Sequence, residues 1–211
     1  MLVRDAMHRE VVTVKARQSL ADVARLLRPR GIRHVPVVDG DGVVGIISDR
    51  DVKGAMASAM GSGPGDGGSA LDRLAASDVM TRPVITIAPI MPVEEAARVM
   101  LAKRISAIPV TEGERLVGII TETDVLRLFS LALGVAEPSS RIDVTLHEGP
   151  HVVGRLVEAI EGSGTEVLSI VTLRSPTAGL QEAVVRVRTI NPRPAIRALE
   201  AKGYTIPDGT R

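Results

Sequence analysis

Gly45-Ile46-Ile47-Ser48-Asp49-Arg50-Asp51 returns 73 positions on as Gly118-Ile119-Ile120-Thr121-Glu122-Thr123-Asp124. Each copy has two β-branched apolar residues, then a hydroxyl, then a carboxylate three positions further. The apolar pair reads as the end of a buried strand and the hydroxyl as the start of a helix. In the plain structural reading, Ser48 and Thr121 accept from the orphan N–H groups of a helical first turn. The same geometry serves a second purpose. A helix N-terminus attracts anions, so the hydroxyl can meet a phosphate, and Asp51 or Asp124 can accept from both hydroxyls of a ribose.

The repeat extends well beyond the motif. At the same offset Met7 meets Met80, Thr13 meets Thr86, Ile32 meets Ile105, Pro36 meets Pro109 and Gly40 meets Gly113, with no gap from Asp5 to Gly54. Each copy predicts a short strand (Val11 to Val14; Val84 to Ile87), then a helix. The helix faces are Leu20, Val23, Ala24 and Leu27 in one copy and Val93, Ala96, Ala97 and Met100 in the other, at helical spacing. Ser19 with Asp22 caps the first helix, Gly31 ends it, and Pro92 initiates its counterpart. Two strands, Val35 to Val38 and Val43 to Ile47, flank the turn Asp39-Gly40-Asp41-Gly42. The closing helix runs on through Val52, Ala55 and Met56.

This β-α-β-β-α pattern, ending in Gly, two apolar residues, Ser or Thr, and Asp three positions on, resembles the CBS domain. The resemblance covers about residues 1–135, with one domain over 1–60 and a second over 74–135. It implies a pseudo-twofold pair that binds adenine-containing ligands in its clefts. For the first copy, the implied site is Asp51 on ribose, Ser48 on phosphate or ribose, and Arg33, His34 and Val35 along the cleft, with Thr13 at the first strand. Arg50 and Lys53 on the helical start would screen phosphate charge, or lie on a solvated face. The second copy offers Thr121 and Asp124, with Thr86, Ser106, Ala107 and Ile108 lining the cleft. Arg33-His34 becomes Ser106-Ala107, so the first cleft suits a polyphosphate and the second an uncharged or monophosphate nucleoside. Adenine would rest between aliphatic groups such as Ile105, Ile108 and Val35.

Between the copies, residues 61–73 form a glycine-rich linker. Gly63, Gly65 and Gly68 spell the dinucleotide pattern G-x-G-x-x-G, but they follow a helix and include Pro64, the wrong context for a phosphate turn.

The last third is a separate module over 140–208. Arg141 to Leu146 alternates as a half-buried strand. A helix follows from near Pro150, with Val153, Leu156, Val157 and Ile160 on one face, and stops at Gly162. Strands at Val167 to Leu173 and Glu182 to Thr189 come next. A helix capped by Asn191 with Pro192 first ends at Gly203, and Tyr204 to Ile206 adds a last strand. The order β-α-β-β-α-β is ferredoxin-like. Gly149-Pro150-His151-Val152-Val153, with Gly164 and Val167-Leu168-Ser169-Ile170, resembles the ACT domain, although that family usually has a glycine where His151 stands. The resemblance implies association through sheets, hence a homodimer. A CBS pair followed by an ACT-like domain is similar to the acetoin-utilisation family, which implies a link to acetoin or central carbon metabolism. His147-Glu148-Gly149-Pro150-His151 also spells H-E-x-x-H, but Gly149 and Pro150 break the single helix that a zinc site of this kind requires.

Composition narrows the function classes. Of 211 residues 45% are apolar, yet Phe129 and Tyr204 are the only aromatics, so the core is aliphatic. Single-stranded nucleic acids bind on aromatic platforms, which are missing here. A formal net charge of +1 gives no broad attraction to DNA or an anionic membrane. Cysteine is absent, removing disulfides, thiolate nucleophiles and Cys-ligated metals. With no apolar run long enough to span a bilayer, the expectation is a cytoplasmic α/β (α+β) protein. No nucleophile–base pair or metal-ligand cluster emerges, so neither a catalytic nor a metal site is expected. Three functions compete: a regulatory sensor of AMP, ADP, ATP or a related adenosyl ligand acting on a partner protein, a structural oligomerisation module, and an enzyme.

Overall fold

The computed structural model describes residues 1–60, 71–135 and 137–207. Most of the 61–73 linker, including the G-x-G-x-x-G match, lies outside them. The chain divides into two compact units, Met1–Val125 and Leu126–Arg211.

In the first unit the elements run α1 (Val3–Ala6), β1 (Val14–Lys15), α2 (Leu20–Arg30), β2 (His34–Asp39), β3 (Gly42–Ser48) and α3 (Asp49–Met60). The second copy repeats them as α4 (Ala76–Val79), α5 (Val93–Lys103), β4 (Ala107–Glu112), β5 (Arg115–Thr121) and α6 (Glu122–Ala132), the last continuing past the division. Local chemistry explains the boundaries. Ser19 Oγ accepts from the Asp22 N–H at 3.2 Å, and Gly31 stops α2 at φ 62°. Gly40 and Gly113 turn the two hairpins at φ 57° and 60°, where a side chain would be strained.

The five strands form one sheet in the order β1-β2-β3-β5-β4. The two hairpins share one register: His34 faces Ser48 as Ala107 faces Thr121. The first strand is shorter than the sequence suggests. β1 keeps two residues, and in the second copy only Ile87 bridges, to Val110, because Val84 to Thr86 find no ladder partner.

The short helices α1 and α4 are absent from the sequence reading. Four residues carry no periodicity, and their signal is an acid three places on: Asp5 accepts from the Leu2 N–H and Asp78 from the Ala75 N–H, each at 2.9 Å. These helices cross the copies. Val3 N–H donates to Met91 O and Arg4 N–H to Pro89 O, while Ala76 N–H donates to Gln18 O and Ser77 N–H to Ala16 O, the same bonds 73 residues apart. Met7 lies against Gly118, and Met80 against Gly45.

The second unit contains the end of α6, then β6 (Ser140–His147), α7 (Val152–Glu161), β7 (Val167–Arg174), β8 (Leu180–Val187) and α8 (Arg193–Ala201). Its antiparallel sheet has the order β6-β8-β7. The last strand reduces to one bridge, Thr205 to Thr145 on the free side of β6. Alternate residues Ile142, Val144, Leu146, Ala183, Val185 and Val187 are buried, against Leu156, Ala159, Ile160, Ala195 and Leu199 from both helices. Val153 is exposed, so the buried face of α7 is rotated from the expected one toward Val152 and Ala159. Asn191 Oδ1 accepts from the Arg193 N–H, and Pro192 is the cap residue, so the helix proper starts one place later than expected. His147 ends β6, and His151 takes a left-handed backbone, φ 59°, before α7 begins. The two histidines therefore share no helix.

Candidate functional site

The repeated motif builds two identical helix starts. Asp51 Oδ2 accepts from the Ser48 N–H and the Ser48 hydroxyl, both at 2.7 Å, and the Asp51 N–H donates back to Ser48 Oγ at 3.3 Å. Asp124 Oδ2 accepts from the Thr121 N–H at 2.9 Å and hydroxyl at 2.6 Å, with a return bond of 3.4 Å. Each is a reciprocal capping box, which satisfies two donors of the first turn. The cap uses one carboxylate oxygen and leaves the other.

That second oxygen separates the copies. Asp124 Oδ1 lies 2.9 Å from His8 Nε2, and the Asp124 side chain is 2% exposed. Asp51 is half-buried, and among the described residues its Oδ1 has no hydrogen-bond partner. His8 reaches Asp124 because residues 7–9 cross onto the other copy: His8 and Ile119 exchange both backbone bonds at 2.9 Å. Its counterpart Thr81 makes the same exchange with Ile46, but its short side chain has no bond to Asp51 among the described residues.

The remaining candidates gather where the hairpins' open ends meet. His34 Nε2 is 3.0 Å from Ser106 Oγ, and Arg33 donates to Thr123 Oγ1 at 3.2 Å. Arg33 O also accepts from the Asp49 N–H, and Ser106 O from the Glu122 N–H. Burial pushes the His34 imidazole below its ordinary pKa, Arg33 adds to the effect, and Asp49, Asp51 and Glu122 oppose it. The site thus holds an imidazole whose uncharged form burial favours, and an exposed guanidinium, beside two capped carboxylates. It can donate to phosphate from Arg33 and accept from sugar hydroxyls at Asp51.

Other expected residues fall elsewhere. Val35 and Ile108 are fully buried and Ala107 nearly so, so their side chains offer no surface to an adenine ring, because they complete the aliphatic core. Only Ile105 of the expected wall remains half-buried. Arg50 is exposed, while Lys53 Nζ is bonded to Asp49 Oδ2 at 2.9 Å. Thr13 is half-buried just before β1. Thr86 lines a cavity of about 420 Å³ with Asp39, Gly42, Thr111 and Glu114 at the hairpin turns, away from Thr121. His8 and Thr123 are the residues the sequence reading missed. The pairing of Met7 with Met80 pointed to the crossing segment, but nothing local marked its destination.

Comparison with known proteins identifies the family of the repeat. The pattern of the CBS domain matches residues 3–58 and 76–131, more than half of the chain. An inosine-5′-monophosphate dehydrogenase of Korarchaeum cryptofilum is 31% identical over 148 residues, which is 70% of this chain but 28% of that enzyme's length. Among solved structures, the CBS domain pair of protein MJ0100, in complex with 5′-methylthioadenosine and S-adenosyl-L-methionine, is 32% identical. It matches 62% of this chain and 96% of that one, with a TM-score of 0.54. A protein described as a putative acetoin utilization protein, AcuB, from Vibrio cholerae is 31% identical over 64% of this chain and 94% of its own, with a TM-score of 0.55.

Proposed function

The chain belongs to the CBS-domain family, and from that premise we propose that it is a regulatory sensor holding an adenine nucleotide or related adenosyl ligand in its paired clefts. The observation that carries this reading is the unused oxygen of Asp51. A carboxylate already fixed through Oδ2 by Ser48 keeps Oδ1 without a hydrogen-bond partner among the described residues, near enough to His34 to act on its charge, and such an oxygen can accept from a ribose hydroxyl. Arg33 supplies a donor for phosphate, and Ser48, Ser106 and Thr121 supply hydroxyls. The adenosyl ligands of the MJ0100 pair support the ligand class. Ligand control then rests on the difference in affinity between two arrangements of the copies.

The 4-1-3-2 strand arrangement of the second unit, with Thr205 in the outer position, supports reading it as an ACT-like module that pairs two chains. Similarity to the Vibrio protein supports a link to acetoin or central carbon metabolism through a regulated partner. A second reading, a scaffold with no ligand, is favoured by Asp124, whose two oxygens are both engaged.

A thermal-shift panel of AMP, ADP, ATP, S-adenosylmethionine and NADH separates the two. A ligand at a hundredfold excess over Kd stabilises the protein by about 2.7 kcal/mol. A flat response to every compound supports the scaffold.

A further inference from the structure

A second cavity of about 400 Å³ opens at the start of β5, toward the hairpin end of the sheet. Three arginines line it from separate segments: Arg4 on α1, Arg9 at the end of the crossing segment, and Arg115 at the first residue of β5. Glu112 is the one acidic residue in the lining, and Ile90 and Leu116 form part of an apolar wall. Ile90 is 65% exposed, although it lies in a cavity wall.

The guanidiniums are poorly matched by the protein. Arg115 is 3.9 Å from Glu112, and Arg4 is 3.9 Å from Asp5, distances at the limit of an ion pair between exposed groups. Arg9 donates to the Arg4 carbonyl oxygen at 3.2 Å. Three cations with only two acids at the limit of pairing distance repel each other, and an anion entering among them relieves that repulsion. The chain's formal charge of +1 does not by itself call for such a cluster.

The duplication provides an internal comparison. The positions equivalent to Arg4, Arg9 and Arg115 are Ser77, Arg82 and Gly42, and Arg17 stands where Ile90 does. The other copy therefore lacks the three-arginine set and the Ile90 part of the wall, while Val43 keeps the apolar character of Leu116, so the fold does not require three arginines here.

We propose that this cavity binds a small organic phosphate, with its phosphoryl group among Arg4, Arg9 and Arg115 and its apolar body against Ile90 and Leu116. Guanidinium forks match phosphate oxygens, and donors from three segments suit a tetrahedral head better than a planar carboxylate. The cavity volume is in the usual range for small-ligand sites. This site is independent of the Asp51 and Asp124 clefts.

The test is calorimetric titration of the full chain with phenyl phosphate, with inorganic phosphate and citrate as comparisons. Arg4→Ser and Arg115→Gly are measured separately, since each installs the residue the other copy carries. Circular dichroism melts check that each variant folds. The expected result is saturable binding of phenyl phosphate, tighter than inorganic phosphate, weakened at least tenfold in both variants and retained in Asp51→Asn/Asp124→Asn. Absence of saturable binding by the wild type overturns the proposal, as does equal affinity in the arginine variants or a preference for citrate. Loss of binding in the Asp51→Asn/Asp124→Asn variant alone would assign the phosphate to the clefts and overturn it too.

Discussion

His34 and His8 give the two halves of a duplicated sequence different chemistry. Burial, then Arg33, lowers the folded-state pKa of His34. The folded protein therefore binds fewer protons here than the unfolded chain, which titrates near the ordinary value of about 6.5. The stability this contributes is fully present above that value and is lost as pH falls from it through the folded value. Thermal melts of the wild type between pH 7.5 and 5.5 should show declining stability toward acid, and His34→Gln should flatten that decline; an unchanged slope would remove His34 from the account. His8 acts differently, by occupying Asp124 Oδ1. His8→Ala removes that contact, and calorimetry should show whether the second copy then binds an adenosyl ligand more tightly, as expected if His8 competes with a ribose for Asp124. The stability cost should be about 1–3 kcal/mol, because the His8 side chain is 57% exposed but the Asp124 carboxylate it bonds is only 2% exposed. None of this inequality was legible locally, since His8 and Asp124 are 116 residues apart.

At the scale of elements, the glycine that opens each motif does more than end a strand. A Cβ on Gly118 would lie 2.5 Å from Met7 Sδ and 3.0 Å from the His8 carbonyl oxygen. One on Gly45 would overlap the Met80 side chain, with Met80 Cβ itself at 2.9 Å. Gly118→Ala should therefore destabilise by about 1–3 kcal/mol, and Met7→Ala in the same chain should recover part of the loss, as a double-mutant cycle of urea melts can measure. Additive losses would mean that the crossing contact does not couple them. Ser48→Ala should cost about 1 kcal/mol through the lost cap. The hairpins and the α2 and α5 helices were legible because β-branched runs, turn glycines and helical spacing agree with one another. The first strands were read too long, because Val11 to Thr13 and Val84 to Thr86 have the residue types of strands without a partner. Only the tertiary ladder distinguishes the two cases.

Across the whole first unit, contacts between the copies mix them at each repeated motif. Sequence reasoning grouped candidate residues copy by copy, as the offset of 73 invites. The contacts instead join Arg33 to Thr123, His34 to Ser106 and His8 to Asp124. Sequence shows which residues repeat, while chain crossing decides which of them meet. The second unit was legible in element order and in the alternation of β6, yet the start of α8 and the buried face of α7 were displaced, because prolines and partly exposed valines leave register open. Because both motifs are built from both copies, a change in the packing of one copy against the other would reach both motifs together.

In the proposed function, Asp51, capped through one oxygen with the other left over, holds a ribose. Calorimetric titration of S-adenosylmethionine and AMP into the wild type and Asp51→Asn tests it most directly. Saturable binding of at least one of them by the wild type is expected, with at least a tenfold loss in Asp51→Asn and the fold retained by circular dichroism. Undiminished binding in Asp51→Asn, or heat indistinguishable from dilution in the wild type, would contradict it.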